Sequence, residues 1–211
     1  MDEFIAENNA PENKAADINN SVKSQKDNII KNRPTAYIVK IAMLAALAYA
    51  LSFLEFWILP AVDFLKMDFT SIPVLIGGFV LGPVAALIIV VVKVALILPR
   101  SPTLYIGELS NLICSLAFAL PCTILYKFKK GKKWVIIGLA ISIFIEILIS
   151  LISNYILIVP LFVKFFPFLK DILQSPAYYG YLSLFNLIKY LSQSVIVFFI
   201  YKRISGIMHR L

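Results

Sequence analysis

The chain has 211 residues, 60% of them hydrophobic, with a mean hydropathy of +0.86, which is more apolar than a soluble domain and is arranged in long blocks rather than alternating patterns. A formal net charge of +8 does not signal a nucleic-acid partner, because the lysines and arginines fall in short clusters between apolar blocks, where membrane topology accounts for them. Two cysteines in one apolar block, Cys114 and Cys122, and a single histidine, His209, support neither a disulfide framework nor a metal site.

Residues 1–32 are polar, rich in Asn, Lys, Asp and Glu, and lack the basic start, short apolar core and cleavage site of a signal peptide; they are expected to form a disordered cytoplasmic tail. A helix needs roughly 20 apolar residues to cross a bilayer. Blocks 36–54, 106–125, 134–159 and 181–201 meet that need. Block 72–98 is apolar except for Lys93 and is interrupted at Gly77-Gly78 and Gly82-Pro83, so it reads as one kinked span or two short ones.

Charge decides between these. The basic clusters are Lys31 with Arg33, then Lys127, Lys129, Lys130, Lys132 and Lys133, then Lys202, Arg203 and Arg210. Cytoplasmic loops carry the excess of Lys and Arg, and only a six-span chain puts all three clusters on that side. The sequence therefore predicts an all-α integral membrane protein, one domain over 33–204 with spans at about 36–54, 68–81, 84–98, 106–125, 134–159 and 181–201. Both termini are then cytoplasmic, including a short tail at 205–211. The loop 55–67, with Trp57, Pro60 and Phe64, is expected to pack as a cover, since irregular backbone at membrane depth must be buried in protein or line a cavity. Phe165, Phe166, Tyr178 and Tyr179, in the external segment 163–180, are expected to form an interfacial belt.

Polar residues within spans are costly and ask for a partner or a wet cavity. Three blocks each carry one polar stripe at helical spacing: Glu108, Asn111 and Ser115; Glu146, Ser150, Ser153 and Asn154; and Ser183, Asn186, Lys189 or Tyr190, and Gln193. The serines are expected to make interhelical hydrogen bonds, each worth about 0.6 kcal/mol. Glu146 pairs with Lys93 or Lys189, or else faces a ligand. Lys189 has Glu108 and Glu146 as alternative partners. In the six-span topology Asn154, Asn186, Lys189, Glu108 and Asn111 all fall in the outer half of the membrane, which predicts a polar cavity open to the outside. Amide donors, one ammonium and nearby aromatics suit a flat ligand with carbonyl and ring-nitrogen acceptors. Lys40 and Lys127 snorkel at helix ends.

No GxxxxGK[ST], HExxH or GxSxG motif occurs, so no P-loop ATPase or familiar hydrolase chemistry is encoded. The stretch FLKMDFTSIPVLIGGFVLGP at 64–83, GELSN at 107–111, SNYILIVPLF at 153–162 and NLIKY at 186–190 resemble the riboflavin-specific S component of energy-coupling-factor transporters, in order over about 36–201. The resemblance implies a six-helix subunit, not itself an enzyme, that captures riboflavin as transported ligand rather than cofactor. It also implies partners: a membrane-embedded coupling subunit and two cytoplasmic ATPases. Carried over by motif, Asn154, Asn186 and Lys189 contact the polar edge of the flavin, while Met67 and Phe69 belong to a lid region. An alanine stripe on the first span, Ala42, Ala46 and Ala50, would dock on the coupling subunit. One departure stands out: an asparagine is expected after Lys93, and this chain has Val94. Thiamine or folate specificity, or a stand-alone proton-coupled carrier using Glu108 and Glu146, are the alternative readings.

Overall fold

Inside a bilayer no water is present to satisfy backbone groups, so an apolar run must close its hydrogen bonds internally; the apolar blocks are helices accordingly. The computed structural model describes residues 34–57 and 65–208. Residues 34–40 belong to one unit and are helical; all that follows concerns the second unit, from residue 41 onward. The expected tail 1–32, residues 209–211, and Pro60 and Phe64 of the expected cover lie outside the described residues.

Helix α1 is Pro34–Leu51, opening on a proline whose missing N–H would be unpaired in the first turn anyway. Ile41, Ala45 and Ala48 are its buried face. A short ladder follows, β1 (Phe56–Trp57) antiparallel to β2 (Lys66–Met67), with Phe56 opposite Met67. Helices α2 (Ser71–Leu81) and α3 (Pro83–Ile97) are separated by Gly82, and a 3-10 turn, Leu98–Arg100, ends α3. Gly82 has φ +99°, a region that only glycine enters without penalty, and Pro83 starts the next helix. The break predicted at Gly82-Pro83 is therefore present. Its N-terminal half is shorter than expected: α2 has 11 residues, about 16 Å at 1.5 Å per residue, against a hydrocarbon core of about 30 Å.

Five helices are long and apolar enough to cross a membrane: Pro34–Leu51, Pro83–Arg100, Ile106–Phe128, Lys132–Phe165 and Pro176–Tyr201. Helix α4 is Ile106–Phe128. The next helix runs as α5 (Lys132–Ser153), a π-helical turn (Asn154–Ile158) and α6 (Val159–Phe165). It extends beyond the expected end at 159 because Pro160 does not terminate it. Proline has no N–H and crowds the carbonyl four residues before it; the helix widens just ahead of Pro160, where the Val159 N–H bonds the Asn154 carbonyl five residues back. After a 3-10 turn (Pro167–Leu169) and α7 (Lys170–Leu173), α8 runs from Pro176 to Met208. It starts ahead of the expected residue 181, so much of the expected external segment is helical.

Helix α4 packs on α3 and α5, α5 on α8, and α2 on α3, α4 and α8. Gly77 and Gly78 let α2 approach closely. A Cβ on Gly78 would stand 2.1 Å from the Thr123 methyl, and one on Gly77 2.4 Å from Ile89 Cδ1; small residues of this kind are how helices associate in lipid, where apolarity alone gives no drive.

Candidate functional site

A cavity of about 400 Å³ lies between the end of β2, the 3-10 turn after α3, the start of α4, the π turn and α8, within the range of small-ligand sites. Five predicted residues meet on its wall: Glu108, Asn111, Asn154, Asn186 and Lys189. Met67 and Phe69 are not on that wall; Met67 is buried in β2, and the Phe69 ring packs 6.0 Å from Phe56.

The π turn and α8 supply the amide side. Tyr178 Oη donates to Asn154 Oδ1 at 3.1 Å, Asn154 Nδ2 donates to the Ser150 carbonyl at 2.9 Å, and Asn186 Nδ2 donates to Ser150 Oγ at 2.7 Å. Both asparagines are buried and oriented by neighbours, so their remaining polar valences face a fixed direction. Tyr178, placed by the sequence in an interfacial belt, is a cavity-wall residue only 3% exposed. The early start of α8 turns it inward. Phe165, by contrast, is exposed.

Lys189 pairs with neither of its expected carboxylates. Its Nζ lies 2.8 Å from Asp68 Oδ2, because the residues entering α2 are brought against α8. Asp68 Oδ1 accepts from the Thr70 N–H at 2.9 Å and from Thr70 Oγ1 at 2.6 Å, and Gln193 Nε2 donates to the Asp68 carbonyl. Lys93 donates to Thr70 Oγ1 at 2.9 Å and Ser115 Oγ at 3.0 Å, and stands 3.5 Å from Asn111 Oδ1. It is fully buried behind the cavity rather than on its wall, so the missing asparagine after it leaves α3 a bracing role here. Two ammonium groups thus flank one carboxylate.

Glu146 pairs with neither Lys93 nor Lys189. It is fully buried, its carboxyl oxygens have no hydrogen-bond partner among the described residues, and the Cys114 thiol is its polar neighbour. An unpaired ionised carboxylate in such surroundings is costly, which makes this a structural acid rather than the partner of a lysine.

At the mouth, Glu108 accepts from Ser101 Oγ and, at 3.3 Å, from Thr103 Oγ1, while Thr103 Oγ1 accepts from the Gly107 N–H at 3.0 Å. Glu108 thereby holds a strained loop in which Leu104 and Tyr105 have φ of +50° and +68°, a region disfavoured for residues other than glycine. Arg100 Nη2 donates to Ser52 O at 2.7 Å and Ser52 Oγ at 2.8 Å, with its guanidinium 4.2 Å from the Phe53 ring centre.

Sequence reasoning did not single out Asp68, Tyr178, Arg100 or Cys114 as cavity residues. Asp68 had a usable signal, as an acid just ahead of the apolar run that starts α2. For Arg100, a terminal cation normally reads as a snorkelling residue.

The fold and cavity define a polytopic membrane protein with an enclosed polar ligand site served by several helices. A family model for the substrate-specific component of ECF transporters matches residues 36–204, and the chain belongs to that family. Among curated relatives, the riboflavin transporter RibU of Staphylococcus aureus is 31% identical over 180 residues, 82% of this chain and 93% of that protein. The riboflavin transporter FmnP of Bacillus subtilis is 29% identical over 157 residues, 72% of this chain and 83% of its own. A solved structure described as the S component of a bacterial ECF transporter superposes with a TM-score of 0.73 at 28% identity, covering 83% of this chain and 99% of that one. The chain is accordingly a multi-pass protein of the cell membrane.

Proposed function

We propose that this chain is the riboflavin-binding subunit of an ECF-type uptake transporter, taking the vitamin from outside and passing it inward when joined to a coupling subunit and two ATPases. The observation that carries the site assignment is the convergence of Lys189, Asn186 and Asn154 on one cavity. A flavin ring offers carbonyl oxygens, ring-nitrogen acceptors and one N–H along a single edge. An ammonium supplies donors only, and each amide supplies both donor and acceptor, so this set matches such an edge, while Leu182, Phe185 and Phe162 supply apolar wall. Glu108 and Asn111 stand on the same wall toward the mouth and α3, where hydroxyls of a ribityl chain would find acceptors. Met67 and Phe69 belong to the cover beside the cavity. The subunit is a carrier and not an enzyme; with no P-loop of its own, it depends on partner ATPases for energy.

Detergent-purified protein is expected to be yellow, with flavin absorbance, or to bind added riboflavin with quenching of its fluorescence. A colourless protein that neither quenches riboflavin nor is stabilised by it, but is stabilised by thiamine or a folate, would move the assignment to another vitamin.

The proposal includes six crossings over a single domain at 33–204, with α2 as the short sixth assisted by the ladder at its outer end, and both termini cytoplasmic. A cysteine placed within 129–133 and a tag after residue 211 are then expected to resist impermeant reagents in intact cells. Labelling of either would remove this topology. The exposed face of α1 bearing Ala42, Ala46 and Ala50 is the surface proposed for the coupling subunit.

A further inference from the structure

Lys189 is the only cavity-wall ammonium on α8, and its partner is not a surface carboxylate. Asp68 is 8% exposed and also lines the cavity. Its side chain has little freedom: Oδ1 is held by the main chain and hydroxyl of Thr70, and Oδ2 by Lys189. Its backbone is held as well, by Gln193 one turn further along α8. Thr70 is in turn fixed by Lys93 from α3. Three elements therefore converge on one carboxylate.

The consequence falls on the lysine. A lysine side chain is a flexible stem with a point charge and carries about 2 kcal/mol of rotamer entropy, so an unheld ammonium at a cavity wall is a poorly directed donor. One of its three N–H groups spent on Asp68 leaves two for a ligand and fixes where they point. Charge works in the same direction. With Asp68 in place, Lys93 and Lys189 face a carboxylate between them; without it, two buried cations would oppose each other across a medium that screens poorly.

We propose that Asp68 is the positioning residue of the ligand site, acting on riboflavin through Lys189 by fixing its ammonium at the cavity wall. The inference rests on the reading of Lys189 as a ligand contact. Asp68 also joins the end of β2 to α8, so a purely structural role in seating the cover is the competing account.

A double-mutant cycle separates the two accounts, with riboflavin titrated by fluorescence quenching into the full chain purified in detergent as wild type, Asp68→Asn, Lys189→Ala and the double variant. Asp68→Asn is expected to weaken binding at least tenfold in the wild-type background and less than twofold in the Lys189→Ala background. A loss of equal size in both backgrounds means that Asp68 acts independently of Lys189, and overturns the inference alone. Wild-type affinity in Asp68→Asn overturns it equally. Wild-type affinity in Lys189→Ala instead removes the ligand role of Lys189, and with it the reading on which the inference stands. Should Asp68→Asn fail to fold, Asp68→Glu keeps the charge but moves the carboxylate by one methylene. It is expected to melt near the wild-type temperature while binding several-fold more weakly, and unchanged affinity in that variant would sink the proposal.

Discussion

Lys189→Ala is expected to weaken riboflavin binding about 10- to 150-fold, the equivalent of a hydrogen bond to a charged group worth roughly 1.5–3 kcal/mol. It is also expected to destabilise the empty protein. The variant leaves Asp68 buried with its ion-pair partner gone, and breaking one side of a buried pair costs roughly 3–5 kcal/mol. The two effects are read separately, affinity by titration and stability by the melting temperature without ligand. Asn186→Ala and Asn154→Ala should each lose about 0.5–1.5 kcal/mol of binding for a neutral bond, less than the lysine. The ranking is the test. If the lysine variant melts early but binds riboflavin as tightly as wild type, Lys189 is structural, and the polar edge of the ligand lies elsewhere. If all three variants keep wild-type affinity, the cavity is not the riboflavin site.

Much of this site was legible in the sequence because lipid makes polarity conspicuous. Asn154, Asn186 and Lys189 stand out from apolar surroundings, and helical spacing alone puts each on one stripe. Their depth followed from the topology. What could not be read was pairing across the bundle. Lys189 and Asp68 are 121 positions apart, and periodicity within a helix says nothing about which loop residue will reach it; hence the wrong partners for Lys189 and for Glu146. Helix lengths failed for a different, local reason. Pro160 reads as a stop, but a π turn absorbs it, which extends the helix and sets Asn154 where the widened turn begins. Tyr178 was read as an interfacial aromatic because α8 was expected to start five residues late. The Gly82-Pro83 break was legible, since positive φ followed by a helix-starting proline is a local matter, but the shortness of α2 as a crossing was visible only as a warning.

The second large effect concerns coupling rather than capture. Helix α1 has two faces of opposite character: Ile41, Ala45 and Ala48 are buried against the bundle, whereas Ala42, Ala46 and Ala50 are exposed. Packing within the subunit, the simplest use for an alanine stripe, therefore falls to the first set and leaves the second unpartnered. Alanines at every fourth position allow another helix to approach closely, which is how helices associate where hydrophobicity supplies no drive. On the proposed function that helix belongs to the coupling subunit. Ala46 is absent from the cavity wall, so docking and capture should be separable at this position. Ala46→Trp is expected to leave riboflavin affinity of the isolated protein within about twofold of wild type, well under the factor of ten that 1.4 kcal/mol represents. ATP-dependent uptake, measured with the partner subunits co-expressed, should be lost, because an indole on this face holds the two helices apart. Ala45→Trp is the informative control: on the buried face it should impair folding, and with it both properties together. Uptake that survives Ala46→Trp, or binding that falls as far as uptake does, would show that the exposed alanine face is not where the partner docks.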